Sequence, residues 1–199
     1  LDKHLATIHV PMEFFFFFFL YHYDDLTANQ AIDQLPDVFT QFRSIAEQHL
    51  SVRPVLPVPN PINIPQNLSA GEIPELKDLQ LSDPPADARA VLPFAGGETQ
   101  ALLRLKYYLW EKDLLETYEE TRNGLLGGDY STKLSAWLSL GCLSPRMVYE
   151  EVKRYEQERV KNKSTYWLIF ELLWRDYFRF VAMKYGNDLF KPAGIKQES

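Results

Sequence analysis

The sequence predicts an all-α second half, residues 98–199, reached through an irregular Pro-rich segment at residues 51–97. Three observations lead there. Nine of the 13 prolines fall between Pro54 and Pro93, where they exclude both a long helix and a central strand. From Glu98 onward apolar residues recur at three- and four-residue spacing, and no stretch alternates with period two. Helix punctuation also sits where the pattern needs it: Pro145 follows Ser144, Gly141 follows an apolar turn, and Gly186 follows Tyr185.

The first fifty residues are the least regular. The run Phe14 to Phe19, with its flanks Val10 and Leu20, is too short to cross a bilayer and is interrupted by Glu13. It lacks the charged start and cleavage site of a signal peptide. It reads as a buried strand, or equally as an aggregation hazard, because one bulky ring repeated packs poorly on two faces. The chain starts at Leu1, not Met, so a piece of a longer protein or a faulty gene model is expected. Leu35-Pro36-Asp37, then Val38, Phe42 and Ile45, suggest a short amphipathic helix ending near Leu50. Residues 51–97 read as an extended linker, and one so long must join two larger bodies. The expected layout is a remnant of a preceding domain at 1–50, the linker at 51–97, and a truncated helical domain at 98–199.

Five helices are expected after the linker. Glu98 to Trp110 carries Leu102, Leu105 and Leu109 on one face, with Ala101 and Tyr108 alongside. A second runs from Asp113 to Glu120 and stops at Asn123-Gly124. A third runs from Ser131 or Thr132 to Leu140, with Gly141 as its stop. The fourth opens at Ser144-Pro145 and continues through Val148, Val152 and Tyr155. The fifth spans Ser164 to Tyr185, its core Thr165 to Lys184, with a cation in the last turn. Trp110, Trp137 and Trp167 read as core.

Charge divides along the same boundary. Residues 1–97 carry 5 Lys/Arg against 12 Asp/Glu, whereas residues 98–199 carry 16 against 15. The overall net charge of -6 argues against binding nucleic acid by bulk charge, yet leaves room for a local basic site in the second half. Cys142 is the single cysteine, which excludes an intrachain disulfide and a cysteine metal cluster and reads as an intracellular chain. His4, His9, His22 and His49 lack ligand spacing, so no metal site is assigned. No membrane contact and no obligate protein partner are inferred.

Two constellations could carry chemistry. Ser131-Thr132-Lys133-Leu134-Ser135 offers hydroxyls, backbone amides and a lysine at a helix start, which suits a phosphate. The competing reading is an ordinary cap, with Asp129 as the cap residue and an exposed lysine. The long helix carries Glu171, Arg175, Asp176 and Arg179 within an apolar stretch. Glu171, Trp174 and Arg175 share a broad face at three- and four-residue spacing. An intrahelical Glu–Arg pair beside a core indole is the plain alternative. Burying charges costs several kcal/mol (~, per ion), so a site opening onto a pocket is preferred. An acid beside an indole suits a flat, hydrogen-bonding ligand such as a nucleobase. Tyr118 and Arg122 lie four apart next to the loop 123–130; taken alone, they read as packing and surface.

These residues carry a resemblance. Gly96-Gly97-Glu98-Thr99, Thr117 to Gly127, Asp129 to Ser135, Gly141 to Arg146, Ser164 to Trp167 and Phe170 to Phe180 resemble the cryptochrome-DASH branch of the photolyase/cryptochrome family. A thinner match continues upstream through Leu20 to Leu26 and Leu35 to Arg43. The resemblance implies an N-terminal α/β antenna domain, essentially absent here, then a linker and an FAD-binding helical domain. It implies that Tyr118 and Ser131, Thr132, Lys133, Leu134 and Ser135 contact FAD, the latter stretch at its phosphates, and that Arg175 lies beside the flavin. It implies that Glu171 and Trp174 bind a flipped pyrimidine dimer and that Arg122 contacts DNA. The implied activity is light-driven repair of cyclobutane pyrimidine dimers, with single-stranded DNA preferred. A blue-light receptor without repair is the alternative, and an inactive fragment a third. A folate antenna (methenyltetrahydrofolate) belongs to the family, but its site is missing here. Ala136 departs from the family's usual proline. By the same resemblance the chain stops before the asparagine facing the flavin, the adenine-side acids and the tryptophan electron chain.

Overall fold

Phe39, Phe42 and Ala46 fall on one side of a helical turn, and they bury that side of the first long helix against the C-terminal half. The computed structural model of the chain describes residues 19–29, 31–58, 67–69, 71–83, 85, 87 and 89–195. The aromatic run through Phe18, and the strand or aggregation hazard read there, lie outside the described residues. Seven α-helices are labelled in chain order: α1 (Tyr23–Asn29), α2 (Phe39–His49), α3 (Glu98–Lys106), α4 (Tyr118–Thr121), α5 (Ser135–Ser139), α6 (Pro145–Glu158) and α7 (Lys163–Tyr185). Among the described residues there is no strand, and no helix is long and apolar enough to cross a membrane.

The described residues form two compact units. One joins the chain up to Val55 with the chain from Ala95 onward; the other is Leu56–Phe94. Within the second, a single 3-10 turn at Leu76–Leu79 is fixed by a reciprocal Glu75–Asp78 cap. Among its described residues, Val58, Leu68, Ile73, Leu79 and Leu81 are exposed, Ile73 by 92%.

In the first unit α7 is the central element. Its buried stripe runs through Leu168, Leu172, Leu173, Tyr177 and Phe180, and Phe19 stacks on Phe180 at 4.7 Å. Asp176, fully buried on the same stripe, accepts the backbone N–H groups of Leu20 (3.1 Å) and Tyr21 (2.9 Å). The opposite side is less enclosed than a helix apolar all round requires: Phe178 is 60% exposed. The helix starts one residue earlier than expected, because Asn162 rather than Ser164 caps it, accepting from Thr165 N–H at 3.0 Å. Ser164 instead accepts the N–H of Glu119 at 3.0 Å. Lys184 in the last turn binds the Leu35 carbonyl (2.6 Å) and Asp37 (2.7 Å), tying α7 to the start of α2.

Three expected helices change shape. The one starting at Glu98 runs to Lys106 and widens into a π turn over Tyr107–Glu111, closed by Lys112 N–H on the Tyr107 carbonyl at 3.0 Å. The segment from Asp113 divides into a 3-10 turn, Leu114–Thr117, and the single turn α4. There Asp113 has φ 58°, and the Glu116 carbonyl is taken by the Asn162 side chain at 2.8 Å. The helix expected from Ser131 begins only at Ser135: Lys133 has φ 58°, and the carbonyls of Ser131 and Thr132 accept from Arg104. Gly141, φ 75°, ends α5 as expected, and Cys142 N–H returns to the Trp137 carbonyl at 2.9 Å. α6 starts at Pro145 and buries Val148, Val152 and Tyr155, also as expected.

Candidate functional site

The loop from Arg122 to Leu134 runs between α4 and α5 and lies beside the middle of α7. Glu171 projects from α7 to meet it. One carboxylate oxygen accepts from the Tyr118 hydroxyl, the other from Arg122 Nη1 at 2.9 Å. Tyr118 is 3% exposed; burial, with the Glu171 charge next, pushes its pKa well above the ordinary phenol value, so it remains a donor. Arg122 also lies 4.7 Å over the ring of Trp167. Trp167 is half-buried, packed against the edge of the core beneath that cation. Trp110 is likewise half-buried, bonded to Glu151 at 2.7 Å and covered by Arg154 at 4.2 Å. Trp137 is core, its N–H on the Ala95 carbonyl at 2.8 Å.

Next to this network is a cavity of about 200 Å³. Five residues singled out from the sequence line it: Thr132, Leu134, Ser135, Glu171 and Arg175. Arg175 is anchored by Nη2 to the Leu138 carbonyl at 2.9 Å. Burial lowers its pKa to about 10, which leaves it cationic at neutral pH. The cavity thus has a cation and a carboxylate on its α7 wall and hydroxyls on the facing loop.

The other assigned residues are placed differently. Lys133 turns its ammonium onto the Tyr130 ring at 3.5 Å, away from the role of a free phosphate-binding cation. What remains of the cradle is hydroxyls and backbone: Thr132 and Ser135 line the cavity, and Lys133 is left-handed and Leu134 right-handed (φ -78°, ψ -9°), a succession that turns neighbouring N–H groups toward one side. Trp174 does not line the cavity. It stacks on Phe39 of α2 at 3.6 Å and 11°, lies 5.2 Å from Phe178, and meets Phe170 and Tyr177 edge-on. The structure therefore joins Glu171 with Tyr118, Arg122 and the loop, but not with Trp174.

Asp129 is not a helix cap. It accepts from Arg104 Nη1 at 3.1 Å and from the Tyr107 hydroxyl at 2.9 Å. Arg104, buried to 8% exposure, was missed by the motif reading. Its position carried a signal: it lies three residues after Ala101 and four before Tyr108, inside an apolar stripe. Among the described residues no group of three or more His, Cys, Asp or Glu could hold a metal ion.

No family model matches the chain. Individual relatives do. The cryptochrome DASH of Gloeobacter violaceus is 52% identical over 196 residues, 98% of this chain and 39% of that protein. That of Danio rerio is 51% identical over 190 residues, covering 95% and 36%. A crystal structure of a Synechocystis cryptochrome, 52% identical, matches with a TM-score of 0.74 over 89% of this chain and 36% of its own. The chain spans 36–39% of the length of these relatives. The motifs quoted from the sequence, the all-helical second half and this identity along nearly the whole chain agree: it belongs to the cryptochrome-DASH branch of the photolyase/cryptochrome family.

Proposed function

We propose that this chain is the FAD- and DNA-binding part of a light-driven photolyase of the DASH type, acting on cyclobutane pyrimidine dimers and preferring single-stranded DNA. The observation that carries this reading is Glu171, held by Tyr118 and Arg122 at the edge of a cavity that Arg175 and the loop 132–135 also line. The donor set fits FAD: loop amides and the hydroxyls of Thr132 and Ser135 suit its phosphates, and Arg175 suits an electron-rich ring edge. Bound FAD supplies light-driven donation and recovery of an electron. The protein's own groups position and polarise. Tyr118 and Arg122 each take one lobe of Glu171, which fixes the carboxylate while leaving lone pairs for the ring N–H groups of an extruded base.

A cavity of about 200 Å³ is smaller than the roughly 300–1,000 Å³ that encloses a drug-sized ligand. Residues 1–199 alone are therefore proposed to engage part of FAD, to lose it on gel filtration, and not to repair DNA. An equilibrium titration of flavin fluorescence tests the binding; no response to the chain at any concentration would sink it. A retained flavin band with light-dependent loss of dimers from an oligothymidine would show a self-sufficient enzyme. In a form that retains FAD, Glu171→Gln is expected to lower repair yield more than DNA binding.

A second reading, a blue-light receptor that binds FAD without repair, is favoured by Trp174. That indole already stacks with two rings of this chain, Phe39 at 3.6 Å and Phe178 at 5.2 Å, which a stacked base would compete with. If Trp174 does serve a base, Trp174→Ala weakens binding of dimer-containing DNA by about 1–3 kcal/mol. Unchanged DNA binding together with a lower unfolding midpoint favours the receptor.

A further inference from the structure

We propose that Arg104 of α3 is the positioning residue of the anion-binding loop, holding the backbone of residues 128–133 so that its amides face away from α3; this rests on the cradle reading given above. The guanidinium makes four bonds to one short stretch of chain. Nη2 donates to the carbonyls of Gly128 (2.7 Å) and Ser131 (3.1 Å), Nε to the Thr132 carbonyl (3.0 Å), and Nη1 to the Asp129 carboxylate (3.1 Å). It lies 5.3 Å and 5.4 Å over the rings of Tyr107 and Tyr108, and the Tyr107 hydroxyl completes the second oxygen of Asp129.

The consequence follows from peptide geometry. In a trans peptide the C=O of one residue and the N–H of the next point in opposite directions. With the carbonyls of 128, 131 and 132 drawn to Arg104, the N–H groups of Asp129, Thr132 and Lys133 are directed away from it. The Lys133 N–H thereby begins the left-handed to right-handed succession that continues into Leu134, and the flanking Thr132, Leu134 and Ser135 line the cavity. A planar fork with five donors can hold these acceptors together, whereas a lysine, a point charge with three donors, cannot match the same geometry. The same bonds explain why α5 cannot extend back to Ser131.

The experiment uses the purified chain and inorganic pyrophosphate as the probe. Amide hydrogen exchange and pyrophosphate-induced amide shifts are measured for the native chain, Arg104→Met and Arg104→Lys. In Arg104→Met, exchange at residues 129–135 is expected to rise about tenfold or more while α6 and α7 stay protected. Pyrophosphate affinity is expected to fall about tenfold. Arg104→Lys keeps the charge and is expected to fall between the two; it decides the matter if Arg104→Met does not fold. Exchange and affinity in Arg104→Lys or Arg104→Met equal to those of the native chain overturn the role of Arg104 and leave the cradle intact. A loosened loop that still binds pyrophosphate as tightly also overturns it. No pyrophosphate response at residues 132–135 of the native chain removes the cradle reading itself, and reduces Arg104 to a staple between α3 and the loop.

Discussion

Glu171 and Asp176 lie five residues apart on α7, and they are held in opposite ways. The Glu171 side chain is 34% exposed, and its partners are two side chains, Tyr118 and Arg122. Asp176 has no exposure, and its partners are two backbone N–H groups, of Leu20 and Tyr21. Side-chain partners on a cavity edge can be exchanged for a ligand; backbone partners in a core cannot. The first arrangement suits a site, the second a clasp between the segment before α1 and α7. Arg175 stands between the two carboxylates and serves the cavity, reaching Asp176 only at 4.0 Å.

The largest effect expected from this difference is that of Asp176→Leu. It removes both acceptors and strands two buried donors, at about 1–3 kcal/mol each. Urea unfolding checks it, with Glu171→Leu as the comparison, expected to change stability far less. Equal losses in the two variants would erase the distinction between site and clasp.

A pH titration sharpens the same contrast. Burial raises the Asp176 pKa from 3.8 to about 7, against the lowering influence of the two N–H groups, Arg175 and Arg179. The folded protein therefore holds this proton more tightly than the unfolded chain between those two values. The sign follows: the contribution is fully present below about pH 4, is lost as pH rises towards 7, and changes no further above it. Stability measured from pH 4 to 8 should show this downward component in the native chain. It should be missing in Asp176→Asn, which cannot titrate. Identical pH profiles for the two proteins would mean that the Asp176 carboxyl is not the group that titrates.

This contrast was only partly legible in the sequence. Apolar residues at three- and four-residue spacing with Gly186 as a stop announced α7, and Pro145 and Gly141 marked real helix ends, because these signals act within one turn. Four charges in an apolar helix raised the expectation of a pocket, and Glu171 and Arg175 line a cavity. Spacing could not tell which carboxylate faced water. That depended on Leu20 and Tyr21, more than 150 residues away, and on α4. Trp174 shows the same limit, since Phe39 reaches it from across the linker. Arg104 was hidden for a related reason: its acceptors are mostly carbonyls, which carry no residue signature. The Ser131 to Ser135 stretch reads as a helix start only while those carbonyls are taken to be free.

Smaller effects are expected at the Glu171 end. Tyr118→Phe keeps the ring, its burial and its edge contact with Tyr108 at 6.1 Å, and removes only the hydroxyl. A hydrogen bond to a charged group contributes about 1.5–3 kcal/mol, and water reaching Glu171 puts this one at the lower end. Thermal unfolding should register that loss. A gain in stability would mean that the buried hydroxyl is worse placed than an apolar ring edge.

The smallest effect belongs to Arg122→Ala. The pair with Glu171 is short, 2.9 Å, but the two side chains are 28% and 34% exposed, and the Tyr118 hydroxyl remains on the carboxylate when the arginine is removed. Solvent screening limits such a pair to about 0.2–1 kcal/mol, and added salt should shrink it further. The stacking over Trp167 adds about 0.5–1 kcal/mol at a site this open. Urea unfolding of Arg122→Ala at low and high salt therefore separates two versions of this end of α7. A loss near 1 kcal/mol that fades with salt marks an exchangeable partner, one that can leave Glu171 for a phosphate or a base without unfolding the chain. A salt-independent loss of the size expected for Asp176→Leu would make Glu171 a second clasp, and the comparison between the two carboxylates would collapse.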